Sequence, residues 1–229
     1  MPNDDVYGGW PRSGEIDVIE MMGNKGYNCD GEERGRKCTA STLHWGPSWD
    51  QDPYEKTHEG KCLVEKDEDF STEFNKFRLE WSEDGIQTYI NDELVLNSST
   101  PQNGFFEFGK PWNENSDNPW SDSSSNNAPF DQEFYLIINV AVGSTNGYMP
   151  DGCINDGSPK PWTDSEGGTA SRSYYWGGEN DINDLHLFNR SWTDPTFQIK
   201  EIKVWQNIES SAANNLSVVL LLVVCILFQ

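Results

Sequence analysis

Short runs of β-forming residues separated by turn residues recur along the chain, without a long helical period or an internal repeat. Residues 15–22 form the first run and 41–45 the second. Residues 76–81 and 86–90 flank Asp84-Gly85, a strong hairpin signal, and Asn91-Asp92 makes the next turn into 93–96. Residues 133–142 carry Phe-Tyr-Leu-Ile-Ile-Asn-Val-Ala-Val, the unbroken apolar pattern of a strand buried on both faces. Residues 198–206 alternate Ile199, Glu201, Lys203 and Trp205 against Lys200, Ile202 and Val204, which predicts a half-exposed closing strand. Long loops rich in Asn, Ser, Gly and Asp are expected at 111–129 and 150–174, and loops of that length in a compact domain tend to carry function. The pattern predicts an all-β fold, an antiparallel β-sandwich or jelly roll with long loops.

The run at 15–22 reads Glu-Ile-Asp-Val-Ile-Glu-Met-Met. Strand alternation puts Glu15 and Asp17 on one face and Ile16 and Val18 on the other, so the acids look into a cleft while the aliphatics face the core. Glu20 breaks this parity, and a one-residue bulge between Asp17 and Glu20 is expected to return it to the acidic face. Two glutamates in one cleft are the equipment of a retaining glycosidase, whose carboxyls stand about 5 to 5.5 Å apart. In that chemistry Glu15 attacks the anomeric carbon, Glu20 is the general acid/base and Asp17 positions Glu15. The alternative is a charged solvent face on an edge strand.

Composition narrows the partners. Of 229 residues, 38 are acidic and 16 basic, a net charge of -22 that argues against nucleic acid and anionic surfaces as partners. Only 35% of residues are hydrophobic, yet 13% are aromatic and ten are Trp, which excludes a disordered chain. Acidic, Trp-rich and Asn-rich composition suits sugars, which offer neutral C–H faces to indoles and hydroxyls to carboxylates and amides. No cofactor is expected, and no metal site, since none of the cysteines has a CxxC or His-x-x-x-His neighbour.

Cys29, Cys38, Cys62 and Cys153 lie in the polar body and permit two disulfides in three connectivities. The short Gly-rich loop between Cys29 and Cys38 favours that pair, leaving Cys62 with Cys153. Sequons at Asn97, Asn189 and Asn215 fit an extracellular or cell-surface chain, although the N-terminus has no signal peptide. Residues 218–228 are an apolar run shorter than the roughly 17 to 25 residues that span a bilayer. Small residues Ser210, Ser211 and Ala212 before it suggest a lipid-anchor signal, with a terminal membrane helix and an arbitrary end as alternatives. The expected division is a domain at 1–208, a small polar linker at 209–217 and an apolar tail at 218–229, with membrane attachment through the tail.

Gly14-Glu15-Ile16-Asp17-Val18-Ile19-Glu20 resembles the signature of glycoside hydrolase family 16, and the preceding Gly-Gly-Trp10-Pro-Arg-Ser resembles its animal β-1,3-glucanase and β-1,3-glucan-binding branch. Ser41-Thr-Leu-His44-Trp45-Gly, Leu79-Glu-Trp81, the 129–143 block and Thr145-Asn146-Gly-Tyr-Met-Pro-Asp resemble later blocks of that branch in the same order. The resemblance implies a concanavalin-like jelly roll with an open groove, in which Glu15 is nucleophile, Glu20 acid/base and Asp17 their partner. It places Trp10, Arg12, His44 and Trp45 along the groove, with β-1,3-glucan as the ligand; ordinary core packing is the alternative for His44 and Trp45 and the expectation for Trp81 and Trp205. A non-catalytic pattern-recognition protein of innate immunity is the competing function within the branch. The closing strand has Lys200 where many members place a calcium-holding Asp, so calcium is not expected. Family members reach the catalytic strand only after earlier strands, so the start of the domain is expected to be missing.

Overall fold

The computed structural model describes residues 1–63, 69–176, 197–206 and 220–228. Its strands are β1 (Glu15–Met21), β2 (Tyr27–Cys29), β3 (Glu32–Glu33), β4 (Cys38–His44), β5 (His58–Cys62), β6 (Asn75–Ser82), β7 (Gly85–Ile90), β8 (Glu93–Ser99), β9 (Ile154–Asn155), β10 (Ser158–Pro159), β11 (Phe197–Gln206) and β12 (Leu220–Phe228). Among the described residues there are also two short α-helices, α1 (Gly104–Gly109) and α2 (Gly168–Trp176). A three-stranded sheet ordered β1-β4-β5 faces a five-stranded sheet ordered β11-β12-β6-β7-β8, and the four short strands form a ribbon ordered β10-β9-β2-β3. Every pairing is antiparallel, as an all-β jelly-roll-like sandwich requires.

The core lies where the two larger sheets meet. Burial alternates along β7 and the first five residues of β6, putting Phe77, Leu79, Ile86 and Ile90 inward. Leu43 of β4, Trp45 just beyond it, Leu96 of β8, Phe105 of α1 and the loop residues Phe70, Trp120 and Phe130 join one apolar cluster. The expected β6–β7 hairpin is present, although its turn is one residue earlier, at Glu83-Asp84, with Gly85 already paired to Ser82; Asn91 and Asp92 take the left-handed backbone, with φ of 48° and 69°, that small polar residues tolerate.

Several expectations are corrected. Residues 133–142 are not a buried strand: only Phe134 forms a bridge, to Pro2, and Tyr135, Leu136, Ile137, Ile138 and Val140 are about half exposed. The Asn3 and Tyr135 amides bond the Glu133 and Met1 carbonyls, after which the segment has no ladder partner among the described residues. An apolar pattern states that a segment needs covering; it does not supply the neighbour. The 150–174 stretch is not a bare loop, since it holds β9, β10 and the start of α2. Trp205, expected in the core, is 47% exposed on β11. The disulfides join Cys29 to Cys153 and Cys38 to Cys62, not Cys29 to Cys38. Cys38 and Cys62 are direct partners across β4 and β5, while the β2–β9 pairing carries Cys29 to Cys153, so strand register overrides sequence proximity.

The apolar run near the C-terminus, set apart from the domain in the sequence division, contains β12, which pairs with both β6 and β11. No helix among the described residues is long and apolar enough to cross a membrane. Residues 209–217, with Ser210, Ser211, Ala212 and Asn215, and the sequon at Asn189 lie outside the described residues.

Candidate active site

The register of β1 on β4 decides where the acids point. Glu15 pairs with His44 and Asp17 with Thr42, but Glu20 pairs with Ala40, one residue out of step. His44, Thr42 and Ala40 share one face of β4, so Glu15, Asp17 and Glu20 share the matching face of β1. The expected bulge is therefore present, with Val18 and Ile19 as its extra length. Its carbonyls are met from β4: Ser41 Oγ donates to the Val18 carbonyl at 2.7 Å and Thr39 Oγ1 to the Glu20 carbonyl at 3.1 Å. Both hydroxyls are buried, so they hold the irregularity in place at little desolvation loss. Ahead of the strand, Gly14 has φ +80° and a Cβ there would press on Phe130 and Pro129, so glycine is needed to turn the chain into β1.

Side chains from four segments converge on this face. Trp10 Nε1 donates to Glu15 Oε2 at 2.6 Å, and Thr42 Oγ1 donates to Glu20 Oε2 at 3.3 Å. The Thr42 hydroxyl also meets His58 Nδ1 at 2.9 Å. His44 lies between two carboxylates, with Nε2 3.4 Å from Asp17 and Nδ1 2.5 Å from Asp52. Its ring packs between Trp10 and Tyr54. Asp52 also accepts the Trp45 amide at 3.2 Å, which fixes the carboxylate that orients His44.

Burial, then the charges of Glu15 and Glu20, push Asp17 up to about 8, with His44 and the amino terminus opposing. Burial works against a charged His44, but Asp52, through hydrogen bond and charge, together with Asp17 and Glu15, carries its pKa above the ordinary histidine value. Tyr148 is raised by burial and by the charges of Glu20 and Asp17. The linkage sign follows: a carboxyl near 8 when folded and near 3.8 when free stabilises the fold fully below about pH 4 and loses that contribution as pH rises through 8. Denaturation midpoints across pH 4 to 8 should fall less steeply in Asp17→Asn than in wild type. Parallel curves would show that Asp17 ionises normally.

The sequence-derived site residues separate in space. Glu15, Asp17, Glu20, Trp10 and His44 come together. Arg12 is exposed and ties its loop to the next by donating Nε to the Pro47 carbonyl at 2.6 Å. Trp45 is a correction, because it does not line a groove: it is fully buried, and its Nε1 donates to Thr57. Trp45 shares strand parity with the buried Leu43 and is out of phase with His44, so alternation carries the indole into the core. Sequence reasoning missed Asp52, Thr42, His58, Tyr54 and Tyr148. Only Thr42 was within its reach, through parity with His44 on the same strand. Ligand atoms of Glu15, Asp17 and His44 lie within 4.8 Å of one another, close enough to share a cation, and each also has a protein partner.

The chain is an all-β, jelly-roll-like sandwich that gathers three carboxylates on one face of a strand, beside a histidine and a half-exposed indole. The sequence is 41% identical over 165 residues to a β-1,3-glucan-binding protein of Penaeus monodon, covering 71% of this chain and 41% of that protein. It is 28% identical over 205 residues to a glucan endo-1,3-β-glucosidase of Cryptopygus antarcticus, covering 90% and 54%, and 31% identical over 143 residues to glucan endo-1,3-β-glucosidase A1 of Niallia circulans, covering 62% and 17%. These similarities to β-1,3-glucan-binding proteins and glucan endo-1,3-β-glucosidases agree with the resemblance of its motifs to the animal branch of glycoside hydrolase family 16. It spans about half the length of the first two relatives. No family model and no solved structure matches it.

Proposed function

We propose that this chain carries the catalytic face of an endo-acting, retaining β-1,3-glucan hydrolase. The observation that carries the reading is the β1 bulge, which gives Glu15, Asp17 and Glu20 a common face. Glu15 attacks the anomeric carbon of a bound glucosyl unit while Glu20 protonates the departing glycosidic oxygen. Water then enters, Glu20 removes its proton, and hydroxide equivalent displaces Glu15 from the sugar, so configuration is retained. Protonated Asp17 stands between the two and keeps three acids from ionising together. Trp10 holds Glu15 by its 2.6 Å hydrogen bond and offers its half-exposed indole to a sugar face. His44, fixed by Asp52, supplies the countercharge. The likeness to glucan endo-1,3-β-glucosidases supports this reading.

A second reading, a non-catalytic β-1,3-glucan-binding protein of innate immunity, is favoured by the 41% identity to a protein of that name. Both readings take β-1,3-glucan as ligand. Two disulfides support an extracellular setting. Incubation with laminarin separates the functions: the hydrolase releases reducing ends whose first-formed anomer is β by NMR. Binding without product supports the second reading, and an α anomer rules out the retaining mechanism.

A further inference from the structure

Among the described residues six indoles are tied down by their own N–H. Trp10 donates to Glu15, Trp45 to Thr57, Trp81 to the Phe130 carbonyl, Trp112 to the Phe106 carbonyl, Trp120 to the Arg12 carbonyl and Trp162 to the Ser144 carbonyl. Trp49 is different. It is 77% exposed, the most exposed large apolar side chain among the described residues, and its N–H has no hydrogen-bond partner there. A lone exposed apolar side chain needs no explanation by itself. What sets Trp49 apart is the rigidity of its support.

Trp49 sits at the tip of a closed turn. The Gln51 amide donates to the Ser48 carbonyl at 2.9 Å, Gln51 Nε2 donates to Ser48 Oγ at 2.8 Å, and Ser48 Oγ donates to Asp50 at 2.7 Å. Gln51 Oε1 in turn accepts from the Asn113 amide at 2.7 Å and Ser116 Oγ at 2.8 Å, which anchors the turn to a second loop. Gly46 passes so close to the Gln51 carbonyl that any side chain there would collide with it. On one flank Pro47 accepts from Arg12, and on the other Asp52 orients His44, which borders the acids. Trp49 lies three positions before Asp52, so their Cα atoms are at most about 11 Å apart, the span of a few sugar rings.

We infer that Trp49 is a glucan-stacking subsite outside the carboxylate cluster, taking the C–H face of a pyranose ring of a neutral β-glucan chain, with its N–H donating to a sugar hydroxyl. This rests on glucan as the ligand and holds for the hydrolase and the binding protein alike. The net charge of -22 selects neutral over anionic polysaccharide. The hydrogen-bonded turn holds the backbone under the indole, so stacking orders only the side chain and not the loop. Its place outside the acids makes it a chain-length sensor: a polymer reaches it while a single ring held at Glu15 does not.

The test is titration of the full chain with laminarin, following intrinsic fluorescence and heat, for wild type, Trp49→Ala, Trp49→Phe and Trp205→Ala. Trp205 is 47% exposed on β11 and serves as the control for exposure alone. Trp49→Ala should bind laminarin about tenfold more weakly, a loss of the size expected for one aromatic stacking contact. Trp49→Phe should recover most of it, and Trp205→Ala should match wild type. Equal binding by Trp49→Ala and wild type overturns the inference, as does an equal loss in Trp205→Ala. Wild type that binds laminarin without cleaving it defeats the hydrolase and leaves Trp49 standing, whereas wild type that binds no glucan defeats both.

Discussion

Glu15→Gln should reduce laminarin hydrolysis by at least about 10³-fold, equivalent to about 4 kcal/mol of lost transition-state stabilisation. The amide cannot attack the anomeric carbon, so the glycosyl-enzyme intermediate does not form. Size and shape are kept, and the amide oxygen still accepts the Trp10 hydrogen bond, so the β1–β4 register and the packing of Trp10 on His44 have no reason to change. Glucan affinity of the variant is accordingly expected within about threefold of wild type, far less than a tenfold step of 1.4 kcal/mol. A parallel fall in affinity and rate would mark Glu15 as a binding residue, and a variant retaining a tenth of wild-type turnover would remove it from the nucleophile's role altogether.

Trp45→Ala should cost about 3 to 5 kcal/mol of folding stability. Its indole, fully buried, packs edge-on against Phe105 and Trp112, is stacked on Phe108 and lies near Trp120. The substitution also strips Thr57 Oγ1 of a donor, although that hydroxyl keeps its own bond to the Leu43 carbonyl. Against a total of about 5 to 15 kcal/mol such a loss is large, and for a chain of this size it lowers Tm by about 10 °C. The expected signature in denaturant is a lower midpoint at unchanged slope. If the melting temperature moves by less than about 2 °C, the aromatic cluster around Trp45 is not the core of the fold.

What sequence conveyed of this molecule was chiefly local. The β6–β7 hairpin follows from Asp84-Gly85, and the bulge follows from the parity conflict between Glu20 and Glu15, because both are rules about neighbours on one strand. Long-range pairing is a different matter. Cys38 meets Cys62 only because β4 and β5 run side by side, and β5, His-Glu-Gly-Lys-Cys, lacks the composition that would have announced a strand. Asp52 lies on a loop and becomes significant only through the position of His44. Trp45 and Trp49 are four residues apart with the same side chain, and nothing in composition tells which one the fold will bury. Residues 135–140 show the converse, since their apolar pattern is plain and their covering is a property of whatever lies alongside.

The bulge also sets which changes of length the acidic strand can absorb. Removing one residue at Val18 or Ile19 would restore plain alternation, and Glu, Asp and Glu would then stand at every second position and still share a face. Removing one between Glu15 and Asp17 would instead split the acids between cleft and core. Spacing in this motif is thus governed by even and odd counts: the chain can exist in a bulged and an unbulged dialect that present the same three carboxylates, and the hydroxyls of Ser41 and Thr39 are the part of β4 that commits this protein to the longer form.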